Sequence, residues 1–184
     1  MTQTRSIIDE IEAALLMQPA GKRDEALLRI TDLFAAGASH YSEDHIGVFD
    51  DVLGRLAATI EADARAKIAR RLAPIANAPA KVSRKLAADA DIAVAEPMLR
   101  LSERLEDHDL LSAANKHGQH HMLAIAQRRA LSEAVTEVLV VRGDREVVRS
   151  VAKNEGARFS NAGFRALVAR SSGDEELATH VGLR

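Results

Sequence analysis

Three features of the sequence predict an all-α fold built from stacked helix pairs. Apolar residues recur at helical spacing along most of the 184-residue chain, and no stretch alternates with period two over a strand's length. Aromatics make up only 3% with no Trp, so the core must come from Ala, Leu, Val and Ile, small side chains that suit close helix packing. The later part of the chain also repeats one unit: helix, short Gly/Asp turn, helix. The specific expectation is a HEAT-like, right-handed α-solenoid of antiparallel helix pairs over 61–184. A less regular cap of three helices precedes it over 1–60, the whole forming a single domain.

The elements follow in order. Ile7, Ile8, Ile11, Ala14 and Leu15 fall on one helical face, which ends before Pro19-Ala20-Gly21. A second helix is predicted from about Asp24 through Leu27, Leu28, Thr31 and Phe34 to Gly37. Ser42, followed by Glu43 and Asp44, is an N-cap with acidic residues in the first turn. Ile46, Phe49, Val52, Leu53, Leu56 and Ile60 carry that face onward. Ala64, Ile68, Leu72 and Ile75 form the next face, closed by the Pro74 to Pro79 region, and Val82 with Leu86 marks a short helix before Asp89.

Beyond this point the sequence echoes itself. Val94, Met122, Val147 and Leu177 are aligned as apolar anchors 28, 25 and 30 residues apart. Each follows a helix-length segment: Val82 to Ala88, Asp109 to Lys116, Ser132 to Val141, and Asn161 to Ala169. Turns at Gly118, Gly143 and Gly173 join the two helices within each of the later pairs, the last two continuing as Gly-Asp. The β-branched run Val135 to Val141 is the one candidate strand. It is assigned to helix because Val135, Val138, Leu139 and Arg142 fit i, i+3, i+4 and i+7. Pro97 falls inside the helix capped by Asp91, where it costs about 3 kcal/mol unless the helix kinks or restarts; a kinked helix is expected.

Several segments resemble one known family. They include Ala64-Arg65-Ala66-Lys67-Ile68-Ala69-Arg70-Arg71-Leu72-Ala73, Asn77-Ala78-Pro79, Leu86-Ala87-Ala88-Asp89 and Val94-Ala95-Glu96-Pro97-Met98-Leu99. Leu123-Ala124-Ile125-Ala126-Gln127-Arg128, Val141-Arg142-Gly143-Asp144 and Asn154-Glu155-Gly156-Ala157-Arg158-Phe159-Ser160 continue the likeness. Together they resemble a bacterial, mostly alpha-proteobacterial, domain-of-unknown-function family with HEAT-like repeats, over roughly Asp50 to Arg184. The resemblance implies the solenoid and brings no activity, cofactor or catalytic residue. Members of that family run further, which implies a chain truncated at its C-terminus, just inside the last helix.

Composition narrows the chemistry. With no Cys there is no disulfide, thiolate zinc site, iron–sulfur cluster or cysteine nucleophile. Asp9, Glu10 and Glu12 are incompatible with a signal-peptide core, and no stretch reaches the roughly 18 apolar residues of a membrane span, so a cytoplasmic protein without membrane contact is expected. There is no nucleophile elbow, phosphate loop or HExxH, and the expectation is a protein that is not an enzyme and carries no cofactor. His117, His120 and His121 cluster, but Gly118 interrupts them, so solvated turn histidines are preferred to a metal site; Glu43 and Asp44, beside His40 and His45, are explained as helix N-terminal charge.

Net charge is −2, but its distribution is uneven. Between Ala64 and Ala88 there is no Asp or Glu, while Arg65, Lys67, Arg70, Arg71, Lys81, Arg84 and Lys85 add seven positive charges; Glu43, Asp44, Asp50, Asp51, Glu61 and Asp63 precede them. One reading is neighbouring acidic and basic helices that partly neutralise one another. The other is a basic stripe for a partner, these seven residues being its candidate binding set. The expected function is a non-catalytic protein–protein interaction scaffold or regulator. The alternative is a nucleic-acid-binding or nucleic-acid-processing HEAT-like protein using 64–88, disfavoured by the near-neutral total and the few stacking aromatics. Leu177, Val181 and Leu183 share a face of the last helix, which predicts a homodimer through the C-terminal end.

Overall fold

A computed structural model describes residues 13–14 and 17–183. Among them are eleven α-helices: α1 (Ala20–Gly37), α2 (Glu43–Leu56), α3 (Ala62–Leu72), α4 (Ala80–Ala87), α5 (Ile92–Leu101), α6 (Asp107–Lys116), α7 (Gln119–Ala126), α8 (Glu133–Arg142), α9 (Arg145–Lys153), α10 (Asn161–Ser171) and α11 (Glu175–Gly182). Short 3-10 turns at Ala38–His40 and Ala57–Thr59 follow α1 and α2. The described residues include no strand, and the protein is all-α as the periodicity predicts. Of the first predicted helical face, Ile7, Ile8, Ile11 and Leu15 lie outside the described residues.

Local chemistry sets most boundaries. α1 starts at Ala20, ahead of the predicted Asp24, because the Pro19 carbonyl already accepts from the Lys22 and Arg23 amides at 3.0 and 3.2 Å. The Ser42 hydroxyl accepts the His45 amide at 3.4 Å and caps α2. The run Val135 to Val141 is helical, as expected, within α8. Its core face differs from the predicted one: Val135, Thr136, Leu139 and Val140 are buried, Val138 is half-buried, and Arg142 is exposed at the helix end. α5 runs through the buried Pro97 as one element from its Asp91 cap to Leu101.

The chain divides into two compact units, the first running to Met98 and adding Ser102–Leu105, the second comprising Leu99–Leu101 and everything from Glu106. In the first, α1 packs on α3 and α2 on α4. Leu27, Phe34, Leu53, Leu56, Ile68, Leu72, Val82 and Leu86 form its buried core. Phe49 meets Phe34 edge-on at 5.1 Å and Tyr41 at 5.2 Å, fixing the turn between α1 and α2.

In the second unit the helices pack both within pairs (α6 with α7, α8 with α9, α10 with α11) and between them. The first helices of the pairs, α6, α8 and α10, pack in succession, and so do the second helices, α7, α9 and α11. Leu110, Met122, Ile125, Val135, Leu139, Val140, Val147, Val148, Val151 and Leu167 fill the interior. All four predicted repeat anchors, Val94, Met122, Val147 and Leu177, are at most 2% exposed. The segments leading into α8 and α10 run parallel: the Leu131 amide donates to the Gly156 carbonyl and the Arg158 amide to the Leu131 carbonyl, both at 3.0 Å.

Candidate functional site

The basic stretch belongs to the first unit, and much of it is bound there. The Arg65 guanidinium donates to Asp89 at 2.7 Å and to the Ile60 carbonyl at 2.8 Å. Arg71 pairs with Asp32 of α1, Lys81 with Asp51 of α2 at 2.8 Å, and the Lys85 ammonium donates to the Gly54 carbonyl at 2.7 Å. The carboxylate of Asp51 raises the Lys81 pKa through a hydrogen bond and direct charge attraction. Arg84 is half-buried. Of the seven, Lys67 and Arg70 are exposed and, among the described residues, their side chains are held by neither a hydrogen bond nor an ion pair. Neighbouring acidic and basic helices therefore neutralise one another in part, which is the first of the two readings of the charge pattern.

Asp50 has a role that spacing could not reveal. Its buried carboxylate accepts the amides of Lys81 at 2.9 Å and Val82 at 2.8 Å, capping α4 from 31 residues away. The α4 N-cap position is occupied by Pro79, whose side chain offers no acceptor.

In the second unit, polar side chains bind the ends of the preceding pair at corresponding positions. In the last turn of α8, Arg142 donates to the Asn115 side chain and, at 3.3 Å, to its carbonyl near the end of α6. In the last turn of α10, Arg170 donates to the Val140 carbonyl near the end of α8 at 3.0 Å. Just past α7, Arg128 donates to the Leu99 carbonyl at 2.7 Å, and just past α9, Asn154 donates to the Ala126 carbonyl at 2.9 Å. Cations and amides placed there satisfy orphan carbonyls and complement the helix dipole. The recurrence of Lys116, Arg142 and Arg170 in the last turns of α6, α8 and α10 was the available sequence signal for this device.

The densest polar cluster joins α9 to α11. Asp174, buried at the N-cap of α11, accepts from Arg149 at 2.7 to 3.2 Å, from Arg145 at 3.2 Å and from the Leu177 amide at 3.1 Å. The Arg149 hydrogen bond, opposed by burial and reinforced by the Leu177 amide, lowers the Asp174 pKa to about 2. Glu176 accepts from Arg149 at 2.6 Å and from Lys153 at 2.5 Å, and the Lys153 bond holds its pKa below the usual range. Beside this cluster lies an open groove of about 600 Å³, lined by Leu123 of α7 and Gln127 just past its end, Arg145, Arg149, Ser150 and Lys153 of α9, and Glu176 of α11. Charges of both signs border it, so it presents no single-sign field to a polyanion.

Other predicted features fall elsewhere. His117 is the C-cap of α6 and Gly118 the N-cap of α7; His121 is buried within α7 and not a solvated turn histidine as expected, and its ring stacks on that of His117 with centroids 4.3 Å apart. The described residues contain no group of three or more His, Asp or Glu able to hold a metal ion. Leu177 is buried within its own unit, so of the three residues expected to join two copies only the half-buried Val181 and the exposed Leu183 remain accessible. No helix of the described residues is long and apolar enough to cross a membrane.

The second unit is also where the chain meets a known family. Residues 94–184 match the family described as an uncharacterised protein conserved in bacteria (DUF2336). That match bears out the resemblance to an uncharacterised bacterial family. The DUF2336 stretch begins at the anchor Val94 and contains Met122, Val147 and Leu177; residues 50–93, which the resemblance also took in, lie outside it. No curated protein matches the chain, and no solved structure does.

Proposed function

We propose that this chain is a HEAT-like α-solenoid acting as a non-catalytic protein–protein interaction scaffold or regulator in the bacterial cytoplasm. Support for the solenoid comes from the second unit, where first helices stack on first helices and second on second, with equivalent side chains binding the preceding pair. The observation that carries the binding reading is the open, mixed-charge groove on the second-helix layer. Its Leu123 floor and alternating Arg, Lys and Glu suit a protein segment carrying both signs of charge. A nucleic-acid-binding reading has one observation in its favour, the exposed Lys67 and Arg70 of α3.

A photoreactive amino acid placed in living cells at Gln127 in the groove, or at Lys67 on α3, separates the two. The proposal expects a discrete protein adduct at Gln127 that disappears when Lys153 is changed to Glu. Nuclease-sensitive adducts at Lys67 with none at Gln127 would favour nucleic acid, and no adduct at either position would remove both surfaces.

A further inference from the structure

The last helix of the second unit is attached in a different way from those before it. α9 contributes Val147, Val148, Val151 and Ala152 to the core, whereas α11 contributes Leu177 as its buried apolar side chain, with Val181 half-buried. What α11 lacks in apolar burial it has in charge contacts. Arg149 holds Asp174 at 2.7 Å and Glu176 at 2.6 Å, Lys153 holds Glu176, and Arg145 holds Asp174. Most of these groups are reached by solvent: the side chains of Arg145, Lys153 and Glu176 are 68%, 48% and 43% exposed, and that of Arg149 is 30% exposed.

The connection into α11 is built to turn. Gly173 sits at φ +82, in the left-handed region, and a Cβ placed on it would meet nothing within 4 Å. The turn is therefore unpacked, and Ser171–Asp174 is closed by one backbone hydrogen bond of 3.0 Å.

We propose that α11 is an electrostatic latch, released from α9 about Gly173 as a unit while α6 to α10 stay folded. Release requires breaking ion pairs and withdrawing one leucine, whereas opening α9 requires exposing three valines from the interior of the stack. Elements with few buried apolar contacts open first and by sub-global steps. Ionic strength is the control. At about 1 M salt the Debye length falls to roughly 3 Å, and the solvent-reached pairs lose much of their attraction.

Amide hydrogen exchange on the intact chain at neutral pH tests the latch. Between about 50 mM and about 1 M sodium chloride, amides of 175–182 are expected to exchange about tenfold faster, while those of 147–152 keep their rates. Arg149→Gln removes contacts to both carboxylates and should make α11 exchange fast at either salt concentration. If that variant unfolds the unit, Lys153→Gln, which removes only an exposed contact, should give a smaller shift in the same direction. The latch is overturned if α11 exchanges as slowly as α9 at both salt concentrations, if salt speeds both helices equally, or if neither variant changes α11.

Discussion

Glycines that look alike in the sequence do different physical work. Gly143 and Gly173 both precede a capping Asp, and the repeat aligns them, yet only Gly173 uses left-handed backbone. Gly143 is extended; a Cβ there would lie 2.4 Å from the Leu139 carbonyl and 2.5 Å from Val147. At Gly156 the constraint is tighter, since a Cβ would fall 2.0 Å from the Arg129 carbonyl, where the two inter-pair segments run side by side. Gly156→Ala is therefore expected to cost about 1–3 kcal/mol, whereas Gly118→Ala, with open space around its Cβ, should change stability by less than about 0.5 kcal/mol. Urea denaturation of the two variants checks the contrast, and equal effects would contradict it. Asp174 gives a pH prediction. Its folded pKa of about 2 is below the ordinary Asp value of 3.8, so its stabilisation is present above that ordinary value and is lost as pH falls through about 2. Melting curves of the wild type should fall between about pH 4 and pH 2, and Asp174→Asn should lack that portion of the fall. A turn glycine and a capping Asp were legible because they act on their immediate neighbours. The close approach at Gly156 was not, because the colliding backbone is 27 residues away.

Helix succession follows the same division between local and distant causes. α2, α8 and α9 begin just after Ser42, Ser132 and Asp144, because each of those side chains accepts an amide of its own helix. The β-branched α8 remains helical because Val135, Leu139 and Val140 bury one face against neighbouring helices, a tertiary term that outweighs β-propensity. α4 is the opposite case, since its cap comes from Asp50 on α2 and no local pattern reports it. Asp50→Ala is expected to cost about 1 kcal/mol, and up to about 2, read as a lowered melting temperature; an unchanged melting temperature would mean that the Lys81 and Val82 amides are satisfied without it. Within the basic stretch, Arg65→Ala removes a charge-assisted bond and is expected to cost about 1–3 kcal/mol. The exposed pair Lys67→Ala and Arg70→Ala together should stay within about 0.5 kcal/mol of the wild type. The seven cations thus divide into those held by a neighbouring element and those, Lys67 and Arg70, that are not, a division that depends on which helix lies alongside.

For the whole chain, the helical class and the buried anchors were legible because both depend on periodicity. The division into two compact units and the side chains that bind each pair to the one before it were not, since both depend on contacts roughly 23 to 32 residues apart in sequence that carry no composition signature. The central claim is that this chain uses its charges chiefly to hold neighbouring helices together within each unit. Carbodiimide coupling, which joins an amine to a carboxylate only when they already touch, tests it most directly. Performed on the native protein at low salt and read by peptide mass spectrometry, it should join Lys153 to Glu176 and Lys81 to Asp51, whose charged atoms lie 2.5 and 2.8 Å apart, and leave Lys67 uncoupled. Coupling of Lys153 and Lys81 to scattered acids, with neither of these two bridges formed, would contradict the account.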